Sequence, residues 1–148
     1  MRRNPVLARI LLVPYLIAVA WIVFAPADDA SRVTGVVAWA ADFVATLGIP
    51  RMPGYVVLEF LANIALFIPF GVLVRLATTR LLWWAVALLG FATSVTIELV
   101  QLSLPSRFST VSDVVANTAG TAIGWVLVSI LSRESRDLTT RTADLIDR

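Results

Sequence analysis

Along most of this chain the apolar residues neither alternate nor keep to one helical face; they run on. Four runs are long enough, at about 20 residues, to carry a helix through a hydrocarbon layer about 30 Å thick. They are Val6 to Ala25, Tyr55 to Leu76, Leu81 to Leu102 and Val114 to Leu131. In lipid a backbone must satisfy its own N–H and C=O groups, so such runs read as helices. A fifth stretch, 32–49, has a different pattern. Val33, Val36, Val37, Ala40, Val44 and Leu47 recur at helical spacing, with Gly35 and Asp42 interrupting them. It is short for a span and predicts an amphipathic helix, lying in the interface or packed as a cap. The turn-forming "GIPRMPGY" ends it. The pattern therefore predicts an all-α fold: an integral membrane four-helix bundle with an extracytoplasmic amphipathic helix between the first and second spans. Residues 1–132 form one transmembrane domain, and 133–148 a short polar cytoplasmic tail.

Composition agrees with lipid as the solvent. The 148 residues are 59% hydrophobic and 15% charged, against about 25% charged in a soluble domain. The absence of Cys and His excludes thiol nucleophiles, disulfides and the usual zinc ligand sets. All 12 basic residues are Arg, so no lysine Schiff base can form. No cofactor and no metal is expected. The arginines sit in small groups beside apolar runs and form no nucleic-acid footprint. The first run reads as an uncleaved helix: it is long for a signal peptide, and Pro26 separates the small residues Ala25 and Ala27.

Charge sets the direction of the spans. With four of them, Arg2, Arg3, Arg9, Arg75, Arg80, Arg133, Arg136, Arg141 and Arg148 fall on one side, and Arg32, Arg51 and Arg107 on the other. Arginine accumulates on the cytoplasmic side, so both termini are expected inside. A fifth span at 32–49 would send the Arg-rich tail outside, which this rule disfavours.

That topology brings scattered polar residues to one level. Glu59 and Asn63 lie in the outer half of the second span, Glu98 and Gln101 at the outer end of the third, Asp113 and Asn117 at the outer start of the fourth. Arg107 lies in the connection between the last two. Glu59 and Asn63 are four apart; Ser94, Glu98 and Gln101 are four and three apart; Asp113, Asn117, Gly120 and Gly124 are four, three and four apart. Each set forms one helical stripe. Such stripes turn inward, because a charge facing lipid costs several kcal/mol. Asn63 and Asn117 suit either interhelical hydrogen bonding or a site, and Asp113 either a helix cap or a site. Gly120 and Gly124 suit a close helix contact, and Pro69 with Gly71 a helix kink. Glu98 stands near the negative end of its helix dipole, so it needs a proton or a cation. Arg107 is the nearest candidate, and its fork suits carboxylates. Three acids against one base leave a negative excess, which a protonated acid, good hydration or a cationic ligand relieves.

The segment "NIALFIPFG" (63–71), then "ELVQ" (98–101), Arg107, Asp113, Asn117, Gly120 and Gly124 resembles the VanZ-like family. The likeness rests on Asn63, Phe67, Pro69, Gly71, Glu98, Gln101 and the later residues in order, over roughly residues 55–131. Many members carry a second acid just before the position of Asp113, where this chain has Ser112; a role needing an acid pair there is not carried over. The resemblance implies a small multi-pass protein of the bacterial cytoplasmic membrane and a link to resistance against teicoplanin-type lipoglycopeptides.

Three functions are open to these residues. In the first, favoured here, the polar cluster binds a lipid headgroup, a lipid-linked cell-wall precursor or an amphiphilic antibiotic: Arg107 grips a phosphate or carboxylate, while Glu98 and Asp113 take an amine. In the second, the protein is an enzyme on a lipid-linked envelope substrate, with Glu98 or Asp113 as acid or base and Arg107 stabilising an anion. In the third it couples transport to protons, against which stands the lack of a polar path through the inner half. Membrane lipids are the expected partners in each, and the sequence fixes no oligomeric state.

Overall fold

In the computed structural model the backbone is described for residues 4–24, 27–78, 80–103 and 110–146, and the side chains for these residues except 27–34 and 134–146. Five helices follow one another: α1 (Pro5–Phe24), α2 (Ala27–Thr46), α3 (Arg51–Ala77), α4 (Trp83–Gln101) and α5 (Val111–Ile146). No strand occurs among the described residues. Four of the helices are long and apolar enough to cross a membrane: α1, α3, α4 and the Val111–Arg133 part of α5. At 1.5 Å per residue the 20 residues of α1 span about 30 Å, the thickness of the hydrocarbon layer. Large apolar side chains such as Ile10, Ile17, Trp21, Leu88, Leu99 and Ile130 point outward from these helices. An exposed apolar surface of that extent needs an apolar environment to cover it. The protein is a multi-pass membrane protein.

Side-chain contacts fix the direction of each long helix. Arg9 near the start of α1 donates to the carbonyl of Ala77 at the end of α3 (3.3 Å), and the Tyr15 hydroxyl donates to Leu66 O (2.7 Å), so α1 and α3 are antiparallel. Gln101 at the end of α4 donates to Val23 O at the end of α1 (3.3 Å). Asn63 in α3 meets Asp113 at the start of α5. The chain therefore runs up, down, up and down through α1, α3, α4 and α5. One end of the molecule carries Arg9 and Arg75; the other carries Glu59, Glu98 and Asp113. They are called below the arginine end and the acid end.

The centre is the α3–α5 pair, with α4 against α5 and α1 against α3. Lipid offers helices no hydrophobic gain on association, so close approach of small residues must hold them. Gly120 sits so near α3 that an added Cβ would lie 2.3 Å from Ile64 O; at Gly124 it would lie 2.2 Å from Ile68 O, and at Gly71 2.0 Å from Thr121 O. On α4, a Cβ at Gly90 would lie 2.3 Å from Thr121 Oγ1. Thr121 is thus enclosed between Gly71 and Gly90. Below this seam the Arg75 guanidinium lies 5.5 Å above the Trp125 ring, an arrangement that keeps a charge on an aromatic face. Around it Val19, Phe67, Phe70, Val74, Val86 and Ile97 form the apolar core.

Two elements differ from the sequence reading. Helix α2 starts earlier and ends sooner than the expected 32–49. It packs mainly on α3, where a Cβ added at the buried Gly54 would meet the side chains of Val44 and Ile49 at ordinary contact distance, and Asp42, which read as an interruption, pairs with Arg51. Helix α5 does not stop at Leu131: its backbone continues through the polar tail to Ile146, so no break in the helix marks the expected boundary at 132. Once nucleated, a helix propagates at little cost through residues that form helices well, whatever their polarity.

Candidate functional site at the acid end

The polar stripes read from the sequence meet at the acid end in two tiers. The outer tier joins α3 to the start of α5. Asn63 Nδ2 donates to Asp113 Oδ1 at 2.6 Å, and the hydroxyl of Thr110, the residue before α5, donates to Asp113 Oδ2 at 2.7 Å. Thr110 and Ser112 also share a hydrogen bond of 2.8 Å. Asp113 stands in the first turn of α5, where the positive end of the helix dipole favours a carboxylate. Both of its oxygens are thus engaged, and it ties two spans together. Glu59 lies within electrostatic range of Asp113. It is exposed, four residues from Tyr55, whose hydroxyl reaches it at 3.5 Å.

The inner tier joins α4 to α5, one helical turn deeper. Asn117 Nδ2 donates to Ser94 Oγ at 2.8 Å, inside the protein. Glu98, one turn along α4 from Ser94 on the same face, is 7% exposed, and Asn117 is 4% exposed. The Thr121 hydroxyl donates to Asn117 O at 2.9 Å, fixing the next turn of α5 beneath. Asn117 Oδ1 is buried and has no hydrogen-bond partner among the described residues. Gln101 stands at the rim, its amide spent on α1.

Of the residues expected at the site, Asn63 and Asp113 are bonded directly, Asn117 reaches α4 through Ser94, Glu98 is buried on that same face, and Gln101 and Glu59 lie at the periphery. Arg107 is outside the described residues, and with it the expected Glu98–Arg107 pair. Gly71, Gly120 and Gly124 form the α3–α5 seam below the inner tier, and Pro69 lies inside α3. No group of three or more His, Cys, Asp or Glu able to hold a metal occurs among the described residues.

The sequence reading passed over Thr110, Tyr55 and Thr121. The first had a legible signal: a threonine three residues before an acid at a helix start is the spacing of a capping box. Thr121 had none, since its position is set by glycines on two other helices.

The family model described as VanZ/LLP1 matches residues 12–132, which includes both tiers and the glycine seam. No curated protein and no solved structure matches the chain.

Proposed function

Starting from the fact that the chain belongs to the VanZ/LLP1 family, we propose that its acid end binds the polar head of an amphiphile from the extracytoplasmic leaflet. The ligand is a lipid headgroup, a lipid-linked envelope precursor or an amphiphilic antibiotic, and the binding contributes to resistance against teicoplanin-type lipoglycopeptides. The observation that carries this reading is the burial of Glu98 beside the Ser94–Asn117 pair within membrane-spanning helices. Ionisable side chains are costly at such depth, and where they occur they mark ligand or ion sites.

The arginine distribution supports placing the acid end outside and both termini in the cytoplasm. In this arrangement the bundle opens toward the outer leaflet and α2 lies in the interface beside its mouth. The length of α3 fits: its 27 residues span about 40 Å, so its first turns, where α2 packs, extend past the hydrocarbon layer. An acid–base role for Asp113 on a lipid-linked substrate is less favoured, because both its oxygens are engaged.

The test uses a susceptible Gram-positive host expressing wild type or Glu98→Gln at matched membrane levels. Wild type is expected to raise the inhibitory concentration of teicoplanin and not of vancomycin, and Glu98→Gln to lose that protection. Equal protection by both proteins would refute a role for the buried acid. Turnover of a lipid-linked substrate by the purified protein would replace binding with catalysis.

A further inference from the structure

We infer that the outward side of α2 is a lipid-contact site, with Val36, Trp39, Phe43 and Leu47 entering the acyl-chain boundary of the leaflet at the acid end. This rests on the interfacial placement of α2 given above and names the surface that makes it and its partner.

The spacing of its apolar residues predicts one stripe on α2, but the structure divides the helix between two apolar faces. Val37, Ala40, Ala41 and Val44 turn inward: Ala41 is fully buried and the other three partly so. Val36, Trp39, Phe43 and Leu47, spaced three, four and four, form a second stripe. Each of these four is more than half exposed. The Trp39 and Phe43 rings stack, with centroids 6.2 Å and planes 16° apart, so the stripe presents a continuous apolar surface. The inward face accounts for the packing of α2 on α3 and leaves this surface uncovered.

Continuity identifies what covers it. The exposed apolar residues go on past the turn, at Ile49, to Met52 and Val56 of α3, a helix long and apolar enough to span the membrane. Lipid that surrounds α3 thus reaches the stripe along one run of apolar side chains. The polar edge of α2 sets the depth. Asp42 and Thr46 lie one turn apart beside the stripe and are exposed. The Thr46 hydroxyl is served by Phe43 O at 2.6 Å, but Asp42 pairs with Arg51, and ionised groups are costly in hydrocarbon. That edge stays in water while the stripe dips beneath it, the posture of a helix lying in the interface plane. Tryptophan favours this level, since its ring is apolar and its N–H can meet the headgroups.

The chain has no cysteine, so single cysteines can be introduced into the full-length protein and spin-labelled. The test places them at Val36, Phe43, Leu47, Asp42 and Thr46 in vesicles of phosphatidylglycerol and phosphatidylcholine. Electron paramagnetic resonance then compares collisions with oxygen, which concentrates in hydrocarbon, and with a nickel chelate, which stays in water. Oxygen is expected to dominate at 36, 43 and 47, and the chelate at 42 and 46. Unlabelled wild type gives a second readout. A phosphatidylcholine carrying a diazirine near its carbonyl group, once photolysed, is expected to mark the tryptic peptide 33–51.

Dominance of the chelate at all five positions, with peptide 33–51 unmarked, would put α2 in water and overturn the inference. Loss of both kinds of collision along the stripe, with spin–spin broadening, would make a second copy of the chain its cover. Dominance of oxygen at 42 and 46 as well would sink α2 into the hydrocarbon and overturn the interfacial depth. If a labelled variant fails to fold, the marking of wild type still decides. The Glu98→Gln test does not involve α2, so the headgroup reading and this inference can fail separately.

Discussion

The α3–α5 seam makes Gly71→Ala a severe test of how these helices are held. An alanine Cβ at this position falls 2.0 Å from Thr121 O, 2.8 Å from its carbonyl carbon and 3.0 Å from its Cα. A relaxed carbon–oxygen contact is about 3.3 Å, so the two backbones must part by about 1.3 Å. Nothing local can yield, because the obstructing atoms are main chain in the middle of a helix. A gap of about 0.5–1 Å already forfeits a quarter to a half of each dispersion contact, and the loss runs along the seam through Gly120 and Gly124. Overpacking of this kind costs roughly 1–3 kcal/mol. With main chain on both sides the upper end is expected, and alanine's better helix propensity returns at most about 1 kcal/mol. The net expectation is a loss of about 2 kcal/mol.

The assay is unfolding in mixed micelles by increasing the mole fraction of sodium dodecyl sulfate, followed by far-ultraviolet circular dichroism. Gly35→Ala is the internal control: its Cβ would meet nothing within 4 Å, so only the propensity gain, up to about 1 kcal/mol, should register. The two variants should move in opposite directions. A Gly71→Ala protein that unfolds with the wild type, or that shifts together with Gly35→Ala, would refute the close-approach account of the seam.

Two further outcomes follow from the acid end and from α2. A double-mutant cycle on Asn63→Ala and Asp113→Ala should give a coupling of about 0.5–2 kcal/mol in the same unfolding assay, and additive losses would show that their 2.6 Å hydrogen bond does not tie α3 to α5. Asp42→Asn removes one charge of the exposed Asp42–Arg51 pair and should leave the unfolding midpoint indistinguishable from wild type, because solvent screens such a pair; a clear loss would mean that this pair, rather than packing around Gly54, holds α2 to α3.

The four spans were legible because lipid imposes a length and a polarity that sequence displays directly. The expected limits Val6–Ala25 and Leu81–Leu102 lie within two residues of α1 and α4. Helix α3 begins earlier than Tyr55, at Arg51, because the "PRMPG" segment reads as a turn although proline is accepted in the first turn of a helix. The extension of α5 was missed for a related reason: apolarity signals a span, and a helix that leaves the membrane keeps its hydrogen bonds without that signal. At the site, helical spacing could place Asn63, Asp113 and Asn117 at one level. It could not say that Asp113 would be tied to Asn63 while Asn117 turned to Ser94. Those pairings depend on how the helices are rotated about their axes, and the rotation is set by where glycine permits contact. Thr121 illustrates the limit: a small hydroxyl residue with no chemical signature of its own becomes central because Gly71 and Gly90, 50 and 31 residues earlier in the chain, make room for it.

The peripheral place of α1 has a consequence for the order in which the protein is made. Its only buried residues are Ala8 and Val19, and its hydrogen bonds reach forward to Leu66, Ala77 and Gln101. The ribosome delivers α1 before α3 and α4, so these partners emerge after it. Helix α3 in turn must await α5, with α4 synthesised in between. Independent insertion of single helices, followed by their association, suits such a schedule. An α1 that is apolar on nearly all sides can stand alone in lipid without exposing anything that would misassemble. The helices that carry acids within the membrane, with Glu59, Glu98 and Asp113, come later, when α1 is already in place and the wait for a partner is shorter.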